Sequence, residues 1–231
     1  MKTIGLIGGM SWESTAEYYR IINEAVRERL GGLHSAKMLL YSVDFQEVED
    51  LQQRGDWGAA AGLLAGAARN LERGGANFVL ICTNTMHKVA AEVEKAVTIP
   101  LLHIVDATAE KIKEVGIRRI GLLGTRYTME EDFYTGRLVT KHGLQVLTPP
   151  EADRTLVHRV IFEELCLGKV VAESRAEFSR IIADLAAARA QGVILGCTEI
   201  SLLIKAGDSH LPLFDTTEIH ARRAVDLALA D

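Results

Sequence analysis

The chain has 231 residues, with 26 Lys and Arg against 31 Asp and Glu, a formal net charge of −5 and 48% hydrophobic residues. That apolar share is enough to build one large α/β domain or two domains of about 115 residues, and it excludes a chain that is disordered throughout. Scattered Lys and Arg exclude a nucleic-acid footprint, and no apolar run approaches the ~20 residues of a membrane span.

Met1-Lys2-Thr3 leads straight into an apolar run with no signal-peptide pattern, so the sequence predicts a cytoplasmic protein. In that compartment the three cysteines are expected as reduced thiols. Short apolar runs at 3–8, 36–43, 77–82, 101–104, 119–124, 145–147, 193–196 and 211–214 have the composition of strands buried on both faces. Amphipathic stretches at 12–30, 57–73, 85–97, 128–142, 174–191 and 216–229 lie between them, and 45–54 follows the second strand. Gly31-Gly32, Gly74-Gly75, Gly116, Gly143 and Gly192 mark helix ends. Such alternation predicts parallel sheets with right-handed crossovers.

The elements repeat. Ile4-Gly5-Leu6-Ile7-Gly8-Gly9 answers Ile120-Gly121-Leu122-Leu123-Gly124-Thr125, and Ile99-Pro100-Leu101-Leu102 answers Leu211-Pro212-Leu213-Phe214. Solenoid units run ~20 to 50 residues, so a longer repeat is a domain duplication. The expected fold is α/β with two pseudo-symmetric lobes, each a mainly parallel four-stranded sheet flanked by helices, with the active site in the cleft between them. Residues 1–100 form the first lobe and 101–210 the second, and 211–231 carry the last strand and a terminal helix that crosses back.

The sharpest signal is a pair of matching junctions. Leu80-Ile81-Cys82-Thr83-Asn84-Thr85-Met86-His87 and Val193-Ile194-Leu195-Gly196-Cys197-Thr198-Glu199-Ile200 each run an apolar strand into a polar cluster at the start of a helix. Free amides at such a mouth can hold an anion. Each junction also offers a proton-carrying side chain, Thr83 or Cys82 in the first and Cys197 in the second. Strand alternation turns Cys82 into the core and leaves Thr83 as the candidate.

Together with Ile4-Gly5-Leu6-Ile7-Gly8-Gly9-Met10-Ser11-Trp12-Glu13-Ser14-Thr15, the elements Thr83-Asn84-Thr85 and Gly196-Cys197-Thr198-Glu199 resemble the aspartate/glutamate racemase family along the whole chain. The resemblance implies an amino-acid racemase that works without pyridoxal phosphate or any other cofactor. Moving an α-proton off one face and onto the other needs two proton carriers on opposite sides. Cys197 and Thr83 take those roles as catalytic residues. Met10, Gln52, Thr83, Asn84, Thr85, Cys197, Thr198 and Glu199 are the implied substrate-binding residues, with Asn84, Thr85 and Thr198 on the α-carboxylate. A helix N-terminus is expected to lower the Cys197 pKa.

The chain departs from the family where Thr83 replaces the usual first cysteine. A hydroxyl is a poor resting base but can still deliver a proton to a carbanion, so the expectation is a lopsided racemase with Cys197 as the competent base, running better from one enantiomer. Where aspartate-preferring relatives tend to carry a lysine, this chain has Cys166. Gln52 is neutral, with Arg54 close by in sequence, so specificity is expected to be open and broad. A homodimer also follows from the resemblance.

Other residues read as structural. Cys82 and Cys166 read as packing thiols, His87 as a surface or cap residue, and His103 and His220 as structural. The seven histidines show no zinc-like spacing, so no metal is expected. Gly8-Gly9 is not a dinucleotide fingerprint. Two alternatives stay open: a one-cysteine carbanion enzyme such as a hydantoin racemase, arylmalonate decarboxylase or maleate isomerase, and an amino-acid-binding protein whose catalytic pair has decayed.

Overall fold

The computed structural model of the chain describes residues 1–230. Its contacts divide the chain into two compact units, one holding Met1–Ile104 with the segment from Thr217 onward, the other Val105–Thr216.

The first unit opens with β1 (Ile4–Gly8), α1 (Trp12–Leu30), β2 (Met38–Ser42), α2 (Phe45–Arg54), α3 (Trp57–Arg73), β3 (Phe78–Ile81), a 3₁₀ turn (Thr85–Val89) and α4 (Ala90–Ala96). The three strands form a parallel sheet in the order β2-β1-β3, with Ile4 beside both Met38 and Phe78. Side chains two apart share a face. Ile4, Leu6, Phe78, Leu80 and Cys82 therefore enter one core, while Ile7, Val79 and Ile81 enter the other with Leu64 and Ala68 of α3 and Val93 of α4. Ser11 caps α1 by accepting from the Ser14 amide, and Asp56 caps α3 through the Ala59 amide at 3.0 Å. Gly9 has φ +93°, and a Cβ there would strike the backbone of Val43, so the turn leaving β1 requires glycine.

The second unit contains α5 (Ile104–Glu114) apart from its first residue, Ile104, which belongs to the first unit, then β4 (Arg119–Gly124), α6 (Arg126–Glu130), α7 (Thr135–Thr140), β5 (Gln145–Leu147), α8 (Glu151–Glu163), α9 (Ala172–Ala187), β6 (Val193–Gly196), α10 (Ile200–Leu203) and β7 (Leu213–Asp215). Its four strands are parallel in the order β5-β4-β6-β7. Gly124 and Gly196 sit side by side where β4 and β6 end, and a Cβ on Gly124 would lie 2.9 Å from the Gly196 carbonyl oxygen. The carboxylate of Asp106 in α5 gathers Arg137 through two bonds of 2.8 and 2.7 Å, Lys141 at 2.8 Å and His142 at 2.8 Å, tying α5 to the end of α7. The chain then returns through α11 (Thr216–Leu229), whose Ala221, Ala224, Val225 and Ala228 pack on Ile4, Leu6, Tyr18 and Leu80 of the first unit.

Several elements differ from their expected form. The predicted strand at 101–104 survives as a single bridge from Leu101 to Val79, because Ile104 already starts α5, and the first sheet has three full strands. Residues 85–97 divide into the 3₁₀ turn and α4, and 128–142 into α6 and α7. The strand β2 lies at a sheet edge and is largely exposed, whereas buried faces were expected. Among the described residues, no helix is long and apolar enough to cross a membrane.

Candidate active site

In the first unit, the junction after β3 is anchored by the Cys82 amide, which donates to the Ile7 carbonyl at 2.9 Å. The Cys82 side chain is fully buried, and burial pushes its thiol far above the ordinary range, so it stays protonated and inert. Thr83, one residue on, is half-buried and keeps a path to solvent. Asn84 and Thr85 are buried beside it. Met10 joins the same apolar cluster as Met86, and Gln52 donates from Nε2 to Met86 Sδ at 3.1 Å, so Met10 and Gln52 lie against this junction. Arg54 is exposed at the end of α2.

His87 is no surface residue. It is buried, its Nδ1 lies 2.8 Å from the Thr83 carbonyl oxygen, and its Nε2 accepts from the Ile104 amide at 3.1 Å. The rings of His103 and His220 lie 4.5 and 6.0 Å away, centroid to centroid.

In the second unit, Cys197 follows β6 directly and is 8% exposed. Its thiol donates to Glu199 Oε2 at 2.9 Å, and the Thr198 hydroxyl donates to the same oxygen at 2.7 Å. Glu199 is itself buried. Burial first, then the Glu199 charge, the nearby Cys166 and the hydrogen bond to Glu199 push the Cys197 thiol well above its usual value. This corrects the expected lowering by a helix N-terminus. The helix here, α10, has only four residues, and a carboxylate rather than a dipole faces the sulfur.

Cys166 sits in a 3₁₀ turn, Leu165–Leu167, rather than in the body of α8. A polar pocket of about 290 Å³ opens in the same unit, lined by Arg126, Tyr127, Glu130, Glu131 and His158. The Arg126 amide donates to His158 Nδ1 at 3.3 Å, and burial, followed by the Arg126 charge, lowers the His158 pKa. Sequence reasoning missed both the thiol-to-carboxylate bond and the burial of His87. The Cys-x-Glu spacing signalled the first, but not the turn that brings the two side chains together. Among the described residues, no group of His, Cys, Asp and Glu has the arrangement of a metal site.

The arrangement is that of an α/β protein presenting a thiol and a carboxylate at the carboxyl end of a parallel strand. The family model described as Asp/Glu/Hydantoin racemase matches residues 7–224, and the chain belongs to that family. It is similar to the crystal structure of a candidate Asp/Glu racemase from Yersinia pestis, at 59% identity, a TM-score of 0.94 and 100% coverage of both chains. A second similar structure is an aspartate racemase homologue from Pyrococcus horikoshii OT3, at 38% identity, a TM-score of 0.86 and again 100% coverage of both chains. Among curated proteins it is 22% identical over 230 residues to the broad specificity amino-acid racemase RacX of Bacillus subtilis strain 168, covering 98% of each.

Proposed function

We propose that this chain is a cofactor-independent amino-acid racemase in which Cys197 and Thr83 carry protons on opposite faces of the α-carbon. The observation that carries this reading is the bond from Cys197 to Glu199 at 2.9 Å. A thiol aimed at a buried carboxylate can hand over its proton reversibly. When Glu199 takes that proton, the sulfur becomes a thiolate able to remove the α-proton of a bound amino acid. Asn84, Thr85 and Thr198 hold the α-carboxylate and stabilise the charge that spreads onto it. Thr83 returns a proton to the other face and is reprotonated from solvent, which its half-buried side chain reaches, while Glu199 gives up the proton it took; the reverse reaction runs through the same groups.

Two enantiomers have equal free energy, so overall kcat/KM is the same in both directions. The asymmetry between a thiol and a hydroxyl therefore belongs to isotope exchange: the enantiomer whose α-hydrogen faces Cys197 exchanges with solvent faster than it inverts. Neutral Gln52 and the kinship to a broad specificity racemase support a wide range of side chains. The reading includes a cytoplasmic homodimer, and sedimentation of the purified protein tests the assembly.

The experiment is chiral analysis of each proteinogenic L-amino acid after incubation with enzyme and no added cofactor. Conversion of several of them is the expected result. A profile confined to aspartate overturns the breadth, and no conversion at all overturns the racemase. The lone junction thiol, Cys197, with Cys82 locked in the core, favours a second reading as a one-cysteine carbanion enzyme. Carbon dioxide release from an arylmalonate would select it.

A further inference from the structure

We infer that His87 is a positioning residue that fixes the Thr83–Asn84 peptide, and through it the proton carrier and the carboxylate-binding amide of the first junction. This rests on the racemase reading above. The Ile104 amide can only donate, so His87 Nε2 must carry the lone pair, and the proton sits on Nδ1. The Thr83 carbonyl can only accept, and it takes that Nδ1 proton at 2.8 Å. Two backbone partners of opposite character thus set the tautomer and the ring angle together.

Thr83 lies in a bend past the last β1–β3 pair, Ile7 beside Ile81. The imidazole one turn further on supplies an anchor from inside the unit. The Thr83–Asn84 peptide is trans, so its N–H points opposite to its carbonyl. With the carbonyl pinned to a ring that is 3% exposed, the Asn84 amide is aimed away from that buried ring. The pinned carbonyl carbon is bonded to the Thr83 Cα, so the same bond also holds the point from which this half-buried hydroxyl side chain projects. The second bond carries the constraint to Ile104, where α5 begins.

Two substitutions separate the two bonds. In H87N the amide nitrogen takes roughly the place of Nδ1 and keeps the bond to Thr83, but it is too short to reach Ile104. In H87Q the amide oxygen takes roughly the place of Nε2 and keeps Ile104, but Thr83 is released. The inference expects H87Q to lose kcat for inversion by about 10²-fold, the size of loss that a misplacement of about 1 Å produces, with KM changing far less. H87N should keep most of its kcat, although both variants melt earlier than the wild type. Equal losses of kcat in the two variants, or losses that follow melting temperature, would overturn the assignment.

The Asn84 amide resonance in a nitrogen-15 spectrum reads the peptide without turnover. It should move in H87Q and hold in H87N, and movement in both or neither counts against His87. Wild-type enzyme that inverts no amino acid overturns the racemase reading alone, because the amide resonances still decide the positioning role.

Discussion

The Cys197 thiol and the Glu199 carboxylate, two residues apart, share a hydrogen bond of 2.9 Å inside a turn that solvent barely reaches. After burial, the Glu199 charge is the largest influence holding the thiol protonated. In Glu199→Gln that charge is gone, so the thiol should titrate at lower pH. Iodoacetamide should then label Cys197 faster at neutral pH, while turnover falls by about 10²-fold or more because the proton acceptor is lost. Slower labelling in the variant would show that Glu199 does not set the thiol's acidity.

Thr83 and Cys197 differ in acidity, and substitution at Thr83 should expose the difference. In Thr83→Ala, deuterium from solvent should still enter the enantiomer whose α-hydrogen faces Cys197, but inversion should disappear. Thr83→Cys should raise the inversion rate above that of the wild type, since a thiol returns and removes protons more readily near neutral pH. Mass spectrometry combined with chiral separation in heavy water distinguishes exchange from inversion. Loss of both in Thr83→Ala would make Thr83 a binding residue instead.

His220 lies in the first unit with Nδ1 accepting from the Tyr18 hydroxyl and Nε2 donating to the Leu102 carbonyl, both at 2.8 Å. Burial lowers its pKa from 6.5 to about 4. The unfolded chain therefore binds a proton that the folded chain refuses over this window. The contribution to stability is complete above the unfolded value and declines by up to roughly 3 kcal/mol as the pH falls toward the folded one. Thermal melts of the wild type and His220→Gln between about pH 7 and pH 5 check this. The wild type should lose melting temperature more steeply, and parallel curves would refute the assignment.

Asp106 is the hub of the second unit's clamp. Burial works against its charge, but the bonds from Arg137, Lys141 and His142 prevail and hold the carboxylate well below its usual range. A lowered carboxylate pKa stabilises the fold above the unfolded value and ceases to do so as the pH falls through the folded one. Asp106→Asn should therefore cost ~2 kcal/mol at neutral pH, less than for a fully buried pair because the side chain is partly exposed. Urea titrations of the two proteins should converge as the pH is lowered, and a constant difference would mean that packing rather than charge carries the effect.

Much of this fold is legible in the sequence because its local signals and tertiary needs agree. Trp12–Leu30 and Trp57–Arg73 have the bounds that apolar periodicity and terminal glycines suggest, Thr216–Leu229 those of periodicity alone, and Arg119–Gly124, Gln145–Leu147 and Val193–Gly196 are strands as written. The segment at 101–104 fails because a β-like run says nothing about where the next helix claims its residues. Helices of four or five residues such as α10 and α6 have too few internal bonds to leave a periodic trace. Cys82 was readable from strand alternation alone, since its neighbours Leu80 and Phe78 share its face. The acidity of Cys197 was not, because Cys197 and Glu199 lie beyond the end of β6, in a turn after Gly196 whose shape no periodic pattern announces.

The division of the chain also bears on the order in which it is built. Because α11 supplies Ala221, Ala224, Val225 and Ala228 to the core around Ile4 and Leu80, a ribosome must finish the whole second unit before the first can close. Until then a nascent chain has one face of its earliest sheet covered by α1 alone, through Tyr18, Ile22, Ala25 and Val26. The continuous second unit, by contrast, has all of its strands in hand as soon as Asp215 has been added.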